Sequence, residues 1–266
     1  WFDESFSVFM VKHSFSDIWN YTAADVNAPF YYFLLKIWSG IFGFGDVALR
    51  SMSVVFAVGS IITIFFLMRK LFGQKVGYLS LLFATFSPML LRYSTEMRCY
   101  TLLIFLLLLS TIVLIEASKD NNKIWWLVYG LLIAAAMWTH YYAALAIIAQ
   151  LIWRATIIKN QTTRPKEFAK KYFSKGFIIS IVTALIVFAP WLGNMLYQLI
   201  ILKEAGFWIP TLSLDTIANF FGEAIAYSTH DRISNYVTIV FLVMIILSAM
   251  ILPKVWCSLN KSGKQS

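Results

Sequence analysis

Long apolar runs separated by short polar segments dominate the pattern of this chain. A transmembrane barrel would instead show short strands of alternating polarity. A helix of roughly 20 residues crosses a typical bilayer, and some of the runs are shorter than this. Seven runs are candidate spans: 47–68, 76–91, 99–115, 124–139, 141–158, 176–199 and 236–252. The pattern predicts an all-α, polytopic helical integral membrane protein with about seven transmembrane helices.

The composition supports this class and excludes two others. Hydrophobic residues make up 60% of the 266 residues and charged residues 13%, and the mean hydropathy is +0.73. A soluble domain of this size could not cover its surface with so few polar side chains. The net charge of +9 does not indicate nucleic-acid binding, because the basic residues lie in short segments between apolar runs.

The run 124–158 is apolar apart from a polar group at 139–142, Gln150 and Arg154. As one helix at 1.5 Å per residue it would be about 50 Å long, which exceeds a single crossing. A single crossing would also place the basic segment 159–175 on the outer side of the membrane. We therefore expect two short helices that meet at His140.

Charge orients the predicted spans. With Arg154, the linkers 69–75, 116–123 and 159–175 and the tail 253–266 hold 15 of the 22 basic residues. These segments are predicted to be cytoplasmic, because Lys and Arg accumulate on that side. The opposite side then holds 10 of the 13 acidic residues. This acidic bias indicates chemistry on the exoplasmic face.

The apolar stretch 29–43 is too short to span, and counting it as a span would invert every later loop. We expect a juxtamembrane helix in the outer interface that begins at Pro29. Segment 93–100 brings Glu96 and Arg98 between two apolar runs. A charge at the bilayer centre costs roughly 2.5–3.5 kcal/mol. These two charges either mark the interface or form a site for an anionic lipid headgroup.

Four polar elements share the predicted exoplasmic side: 1–5, 25–32 followed by Arg50, 93–100, and 139–142. Their order resembles the GT-C glycosyltransferases that use lipid-phosphate sugars. The nearest likeness is to bacterial and archaeal relatives of protein O-mannosyltransferases and of aminoarabinose transferase. In that family an Asp-Glu pair precedes segments like Asp-x-His-Pro-Pro-Leu-Tyr-Tyr, Tyr-Ser-x-Glu-x-Arg-x-Tyr and Thr-His-Tyr.

The resemblance covers roughly residues 1–150, and it has departures. Asn27 and Ala28 stand where His and the first Pro are usual, which weakens any role assigned to that His and leaves the assignment of Asp25 in place. The chain begins at Trp1, and from this we expect a fragment that lacks an N-terminal span.

The resemblance implies a site that inverts the sugar carbon by direct displacement. Asp3 is the candidate base and Glu4 its partner in the catalytic pair. Arg98 is the candidate for stabilising the phosphate leaving group, with Arg50 or Arg92 as second choices. Glu96 is expected to orient Arg98 or to bind a sugar hydroxyl. The candidate donor-binding residues are Asp25, Arg50, Glu96, Arg98, Tyr100, His140 and Tyr141.

Each of these residues also has a purely structural interpretation. Asp3 and Glu4 are ordinary loop acids in that reading, and Asp25 caps the helix that begins at Pro29. His140 is then a residue at a helix break. Arg92 extends its charge to the interface from a helix end.

The predicted organisation has four parts. Residues 1–46 form the first exoplasmic loop and juxtamembrane helix, and 47–202 form the transmembrane core. Residues 203–235 form an exoplasmic loop, and 236–266 hold the last span and a basic cytoplasmic tail. The predicted location is the plasma membrane of a prokaryote, with the site on the exoplasmic face.

The sequence favours transfer of a sugar from a polyprenyl-phosphate donor to a protein, lipid or glycan acceptor. A transporter or lipid flippase and a catalytically inactive relative are the alternatives. Two adjacent acids could hold Mg²⁺ or Mn²⁺. A monophosphate donor does not require a metal, so no metal site and no cofactor are predicted.

Overall fold

The computed structural model describes residues 2–120 and 122–205. Helices make up 86% of these residues, and none of them is in a strand, which confirms the all-helical prediction. Except for Ser87–Met89, they belong to one compact unit. The predicted span 236–252, the basic tail and most of the loop 203–235 lie outside the described residues.

Short helices precede and separate the long ones. The described helices are α1 (Phe2–Val11), α2 (Phe15–Ala24), α3 (Phe30–Phe42), α4 (Asp46–Phe72), α5 (Gln74–Thr85), α6 (Pro88–Ser94), α7 (Tyr100–Asp120), α8 (Lys123–Thr139), α9 (Ala143–Gln161), α10 (Pro165–Tyr172) and α11 (Lys175–Ala205).

Four of the described helices are long and apolar enough to cross a membrane. They are α4, α7, α9 and α11, with the apolar parts Asp46–Phe72, Tyr100–Lys119, Ala143–Gln161 and Lys175–Leu202. The predicted count of seven is not confirmed. The run 76–91 is divided between α5 and α6, and α8 has 17 residues. Both α5 and α8 are therefore shorter than a typical span.

The break at His140 is confirmed. Helix α8 ends at Thr139 and α9 begins at Ala143, with His140 extended at the cap (φ −164°). The helix predicted over 29–43 is also present as α3.

The proposed cap for α3 is wrong. Pro29 occupies the N-cap position of α3, and no side chain caps this end. Asp25 instead lies at the C-cap of α2. Its carboxylate accepts a hydrogen bond from Asn27 Nδ2 at 2.6 Å, because the intervening residues turn the chain before α3 begins.

Two apolar clusters hold the described unit together. One joins α1, α2 and α3 to α4, α7 and α8, and includes Met10, Leu35, Met52 and Leu102. The other joins α7 and α8 to α11, and has Trp126 at its centre. Fully burying a large apolar side chain contributes roughly 1.5–3 kcal/mol relative to water. These clusters therefore pack the short helices α1, α2 and α3, together with α8, against the long helices.

Polar contacts mark the two ends of the helix bundle. At one end, Glu4 of α1 pairs with Arg50 in the first turns of α4. At the other end, Lys70 of α4 pairs with Glu116 near the end of α7. The first end is the one that the charge pattern predicts to be exoplasmic, and the candidate site lies there.

Candidate active site

The loop between α6 and α7 is held by side chains of α1 and α4. The Met97 N–H donates to Glu4 Oε1 at 3.1 Å, and the Ser7 hydroxyl donates to the Met97 carbonyl at 2.8 Å. The Ser53 hydroxyl donates to the Glu96 carbonyl at 2.7 Å. Three side chains thus fix two consecutive peptide units, and this fixes the backbone immediately before Arg98.

Glu4 is the centre of this arrangement. Arg50 donates from Nε to Oε1 at 3.2 Å and from Nη2 to Oε2 at 3.0 Å, so the pair has two-point geometry. Only 6% of Glu4 is exposed. Burial raises the pKa of Glu4, but the hydrogen bonds from Arg50 and the Met97 N–H outweigh it and hold the pKa below its ordinary value of 4.5. The carboxylate is therefore ionised at neutral pH and already hydrogen-bonded.

Asp3 precedes Glu4 in the first turn of α1. Its side chain lies outside the part of the chain that the structure describes, so its role as the base stays a prediction.

Glu96 pairs with Arg92 through a hydrogen bond of 3.2 Å from Nε to Oε1. The two residues are four apart in sequence. The structure thus pairs the Glu96 carboxylate with Arg92 and not with Arg98, whose orientation was one of the two roles expected for Glu96; the other role, binding a sugar hydroxyl, stays a prediction. Both side chains are partly exposed, so the pair stays in contact with the polar surroundings of the site.

Arg98, Tyr100 and His140 form a row at this end of the bundle. Arg98 Cζ lies 5.6 Å from the centroid of the Tyr100 ring, and Arg98 Nη2 lies 3.4 Å from the Tyr100 hydroxyl oxygen. The Tyr100 and His140 ring centroids are 6.1 Å apart. The Tyr100 ring thus lies beside both a cation and an imidazole, and all three side chains are partly exposed.

The hydrogen bonding of His140 defines its tautomer. The Tyr142 N–H donates to Nδ1 at 3.2 Å, so a neutral ring carries its proton on Nε2. Burial and the nearby positive charge of Arg98 lower the pKa of His140 below its ordinary 6.5. The ring is thus uncharged at neutral pH and presents an Nε2–H donor.

Tyr141 faces a different set of partners. Its hydroxyl donates to Gln198 Oε1 and accepts a hydrogen bond from Trp191 Nε1 at 2.8 Å. Gln198 is buried and donates to the Thr22 carbonyl at 2.7 Å. Tyr141 therefore ties the turn at His140 to α11 and α2, which favours a structural role for its hydroxyl.

Asp25 reaches the same end through this network. Gln198 Nε2 also contacts the Asn27 carbonyl at 3.4 Å, and Asn27 donates to Asp25. Asp25 is thus linked through Asn27 and Gln198 to Tyr141, the neighbour of His140, and its own hydrogen bond goes to Asn27.

The sequence pattern did not identify Ser7, Ser53 and Gln198. The serines carry no signal, because hydroxyls in apolar helices commonly bond the preceding turn. Gln198 carries a weak signal, since it is, with Asn194, one of two amides near the end of a largely apolar run. A buried amide needs partners, and its presence in such a run indicates a polar contact between helices.

The fold and this site define an integral membrane protein with a polar, charged site at one end of its helices. The family of dolichyl-phosphate-mannose-protein mannosyltransferases matches residues 26–193. The match covers more than half of the chain, and the chain belongs to this family of membrane glycosyltransferases of the GT-C type. Comparisons with curated proteins and with solved structures find no match.

The matched region contains Arg50, Glu96, Arg98, Tyr100 and His140, whereas Asp3, Glu4 and Asp25 precede it. The row of Arg98, Tyr100 and His140 thus lies within the matched region, and its role in the site stays a prediction. The position of the acidic pair beside this row rests on the hydrogen bond between Glu4 and Met97.

Proposed function

We propose that this protein transfers a sugar from a polyprenyl-phosphate donor to an acceptor hydroxyl on the exoplasmic face, with inversion at the sugar carbon. The observation that carries the proposal is the row of Arg98, Tyr100 and His140, held at one end of the bundle by the loop that Glu4 fixes. The donor lipid lies between helices, and the acceptor is a protein, lipid or glycan.

In the proposed reaction the acceptor oxygen attacks the anomeric carbon as the bond from that carbon to the phosphate oxygen breaks. The phosphate leaves on its lipid with the bonding electrons. Arg98 contributes a permanent charge and planar donors that suit a phosphate. His140 contributes an uncharged Nε2–H donor to the phosphate or sugar. Donors aimed at developing charge in a partly shielded site are the main source of rate enhancement for such a reaction.

Asp3, rather than Glu4, is the proposed base that takes the acceptor proton. Glu4 accepts hydrogen bonds from Arg50 and the Met97 N–H, and its pKa is lowered. These contacts weaken Glu4 as a proton acceptor and make it a positioning residue. No step of this scheme uses a metal ion or cofactor, and none is proposed.

A transporter or flippase is less well supported by the described residues. Transporters place substrate and ion sites near the membrane midplane, commonly on broken helices. The site residues described above lie at helix ends and in the connecting segments. We propose a prokaryotic plasma membrane as the location, with the acid-rich end of the bundle facing outwards.

The test is a transfer assay on membranes that carry the protein with each of a panel of radiolabelled polyprenyl-phosphate sugars. Asp3→Asn should abolish transfer, because the amide cannot take the proton. Glu167→Gln is the control, since Glu167 is an exposed acid on α10 at the opposite end of the bundle. Normal turnover by Asp3→Asn would refute the base assignment. An inserted wild-type protein that transfers from no donor, with acceptors supplied, would favour the transporter or inactive relative.

A further inference from the structure

Helix α10 lies between two helices that are long enough to cross a membrane. Helix α9 ends at Gln161 and α11 begins at Lys175, and the chain between them contains only α10 and short connections. Because both flanking helices end at this level, α10 has to lie at the membrane–water boundary. It is at the opposite end of the bundle from Arg98 and His140.

The two sides of α10 differ in chemistry. Phe168 and Tyr172 stack with ring centroids 5.7 Å apart, and Tyr172 packs on Phe177 of α11 at 5.2 Å. Lys166, Lys170 and Lys171 are exposed. The aromatic side therefore attaches the helix to the bundle, and the basic side is presented to the surroundings.

Arg154 of α9 anchors the end of this helix. It is 4% exposed, and it donates to the Tyr172 carbonyl at 2.6 Å and to the Lys171 carbonyl at 3.1 Å. Its guanidinium also lies 4.4 Å from the centroid of the Phe177 ring. A buried cation thus satisfies carbonyls that the helix end leaves open. The lysines of α10 are not required for this task.

The segment around α10 carries a strong net positive charge. Between residues 159 and 175 the only acid is Glu167, and the bases are Lys159, Arg164, Lys166, Lys170, Lys171 and Lys175. Cytoplasmic leaflets carry anionic lipids that attract such basic segments.

We propose that α10 and its flanking residues bind the phosphate headgroups of anionic phospholipids at the end of the protein opposite the candidate active site. The aromatic side and Arg154 hold the helix at the depth of the headgroups, and the lysines contact the phosphates. This binding does not depend on the proposed sugar transfer, so each can fail without the other.

The test measures lipid retained by the purified full chain, exchanged into mixed micelles with equal amounts of phosphatidylglycerol and phosphatidylcholine. Native mass spectrometry gives the ratio of the two lipids on the protein. The variant is Lys166→Gln, Lys170→Gln and Lys171→Gln together. The matched control is Lys75→Gln, Lys119→Gln and Lys123→Gln, which removes the same number of exposed charges from the same predicted side.

Wild type and control should both retain more phosphatidylglycerol than phosphatidylcholine. In the α10 variant the ratio of phosphatidylglycerol to phosphatidylcholine should fall by up to about fivefold for each charge removed. An α10 variant that keeps the wild-type ratio would overturn the proposal. An equal loss of preference in both variants, or a wild type that does not prefer phosphatidylglycerol, would also overturn it. Added inorganic phosphate that displaces all of the bound lipid would overturn it as well. Size-exclusion profiles establish that both variants are folded.

Discussion

At the residue scale, Glu4 connects two distant parts of the chain. Its carboxylate accepts from Arg50 and from the N–H of Met97, which is 93 positions away in sequence. A buried carboxylate needs such partners, because an uncompensated buried charge is strongly destabilising. The adjacent acids predicted a polar site, but no sequence pattern indicated that one of them holds the backbone beside Arg98. Contacts of this kind depend on tertiary packing and leave no local periodicity.

Replacement of Glu4 should therefore reduce stability. Glu4→Gln keeps an acceptor for the Met97 N–H but loses the charge that pairs with Arg50. We expect the free energy of unfolding to fall by about 1 kcal/mol for Gln and by about 3 kcal/mol for Ala, which leaves the N–H without a partner. Denaturation of the protein in detergent micelles at pH 7 measures both. Glu167→Gln, at an exposed glutamate, is the control.

The lowered pKa of Glu4 determines how the stability of the protein changes with pH. The unfolded chain binds a proton at Glu4 more readily than the folded one, so the stabilisation is present above pH 4.5 and is lost as the pH falls below it. The difference between wild type and Glu4→Gln should shrink under acid conditions. A difference that is equal at pH 7 and pH 4, or absent at both, would contradict the role assigned to Glu4.

At the element scale, the fold depends on where the helices end and on how closely they pack. The break at His140 was predictable because the run is too long for one crossing and carries polar residues at 139–142. The division of 76–91 between two helices was not predictable, since the apolar pattern continues to Pro88 and beyond it.

The close contact of α8 with α11 could not be predicted from the sequence either. A Cβ built on Gly130 would lie 2.5 Å from the Ser180 carbonyl oxygen and 2.9 Å from Thr183 Cβ.

This close approach predicts a difference between two glycine substitutions. Gly130→Ala should destabilise the protein by about 1–3 kcal/mol, because the backbone of α11 would have to move. Gly193→Ala should be neutral or stabilise by about 0.4–1 kcal/mol, since nothing lies within 4 Å of its Cβ position. Both changes lie within helices, so their difference isolates packing. Thermal unfolding in one detergent measures it, and equal midpoints would show that α8 and α11 are not so tightly packed.

At the scale of the whole molecule, chemistry is divided between the two ends of the bundle. Glu4, Arg98 and His140 lie at the end predicted to be exoplasmic, and α10 with its lysines lies at the other. The sequence predicted this division well, because loop charges reflect topology. It did not predict how the site is braced. Gln198 contacts the carbonyl of Thr22, 176 positions away, and links α11 to the segment that precedes the family match.

The most direct measurement compares the transfer rates of Arg98→Gln and Arg69→Gln in membranes that hold equal amounts of inserted protein. Arg98 lies in the candidate site, whereas Arg69 is an exposed arginine near the opposite end of α4. Loss of a donor to the developing phosphate charge should lower the rate of Arg98→Gln by about 10²–10³, and Arg69→Gln should keep the wild-type rate. Full transfer by Arg98→Gln, or equal losses in both variants, would contradict the placement of the reaction at this site.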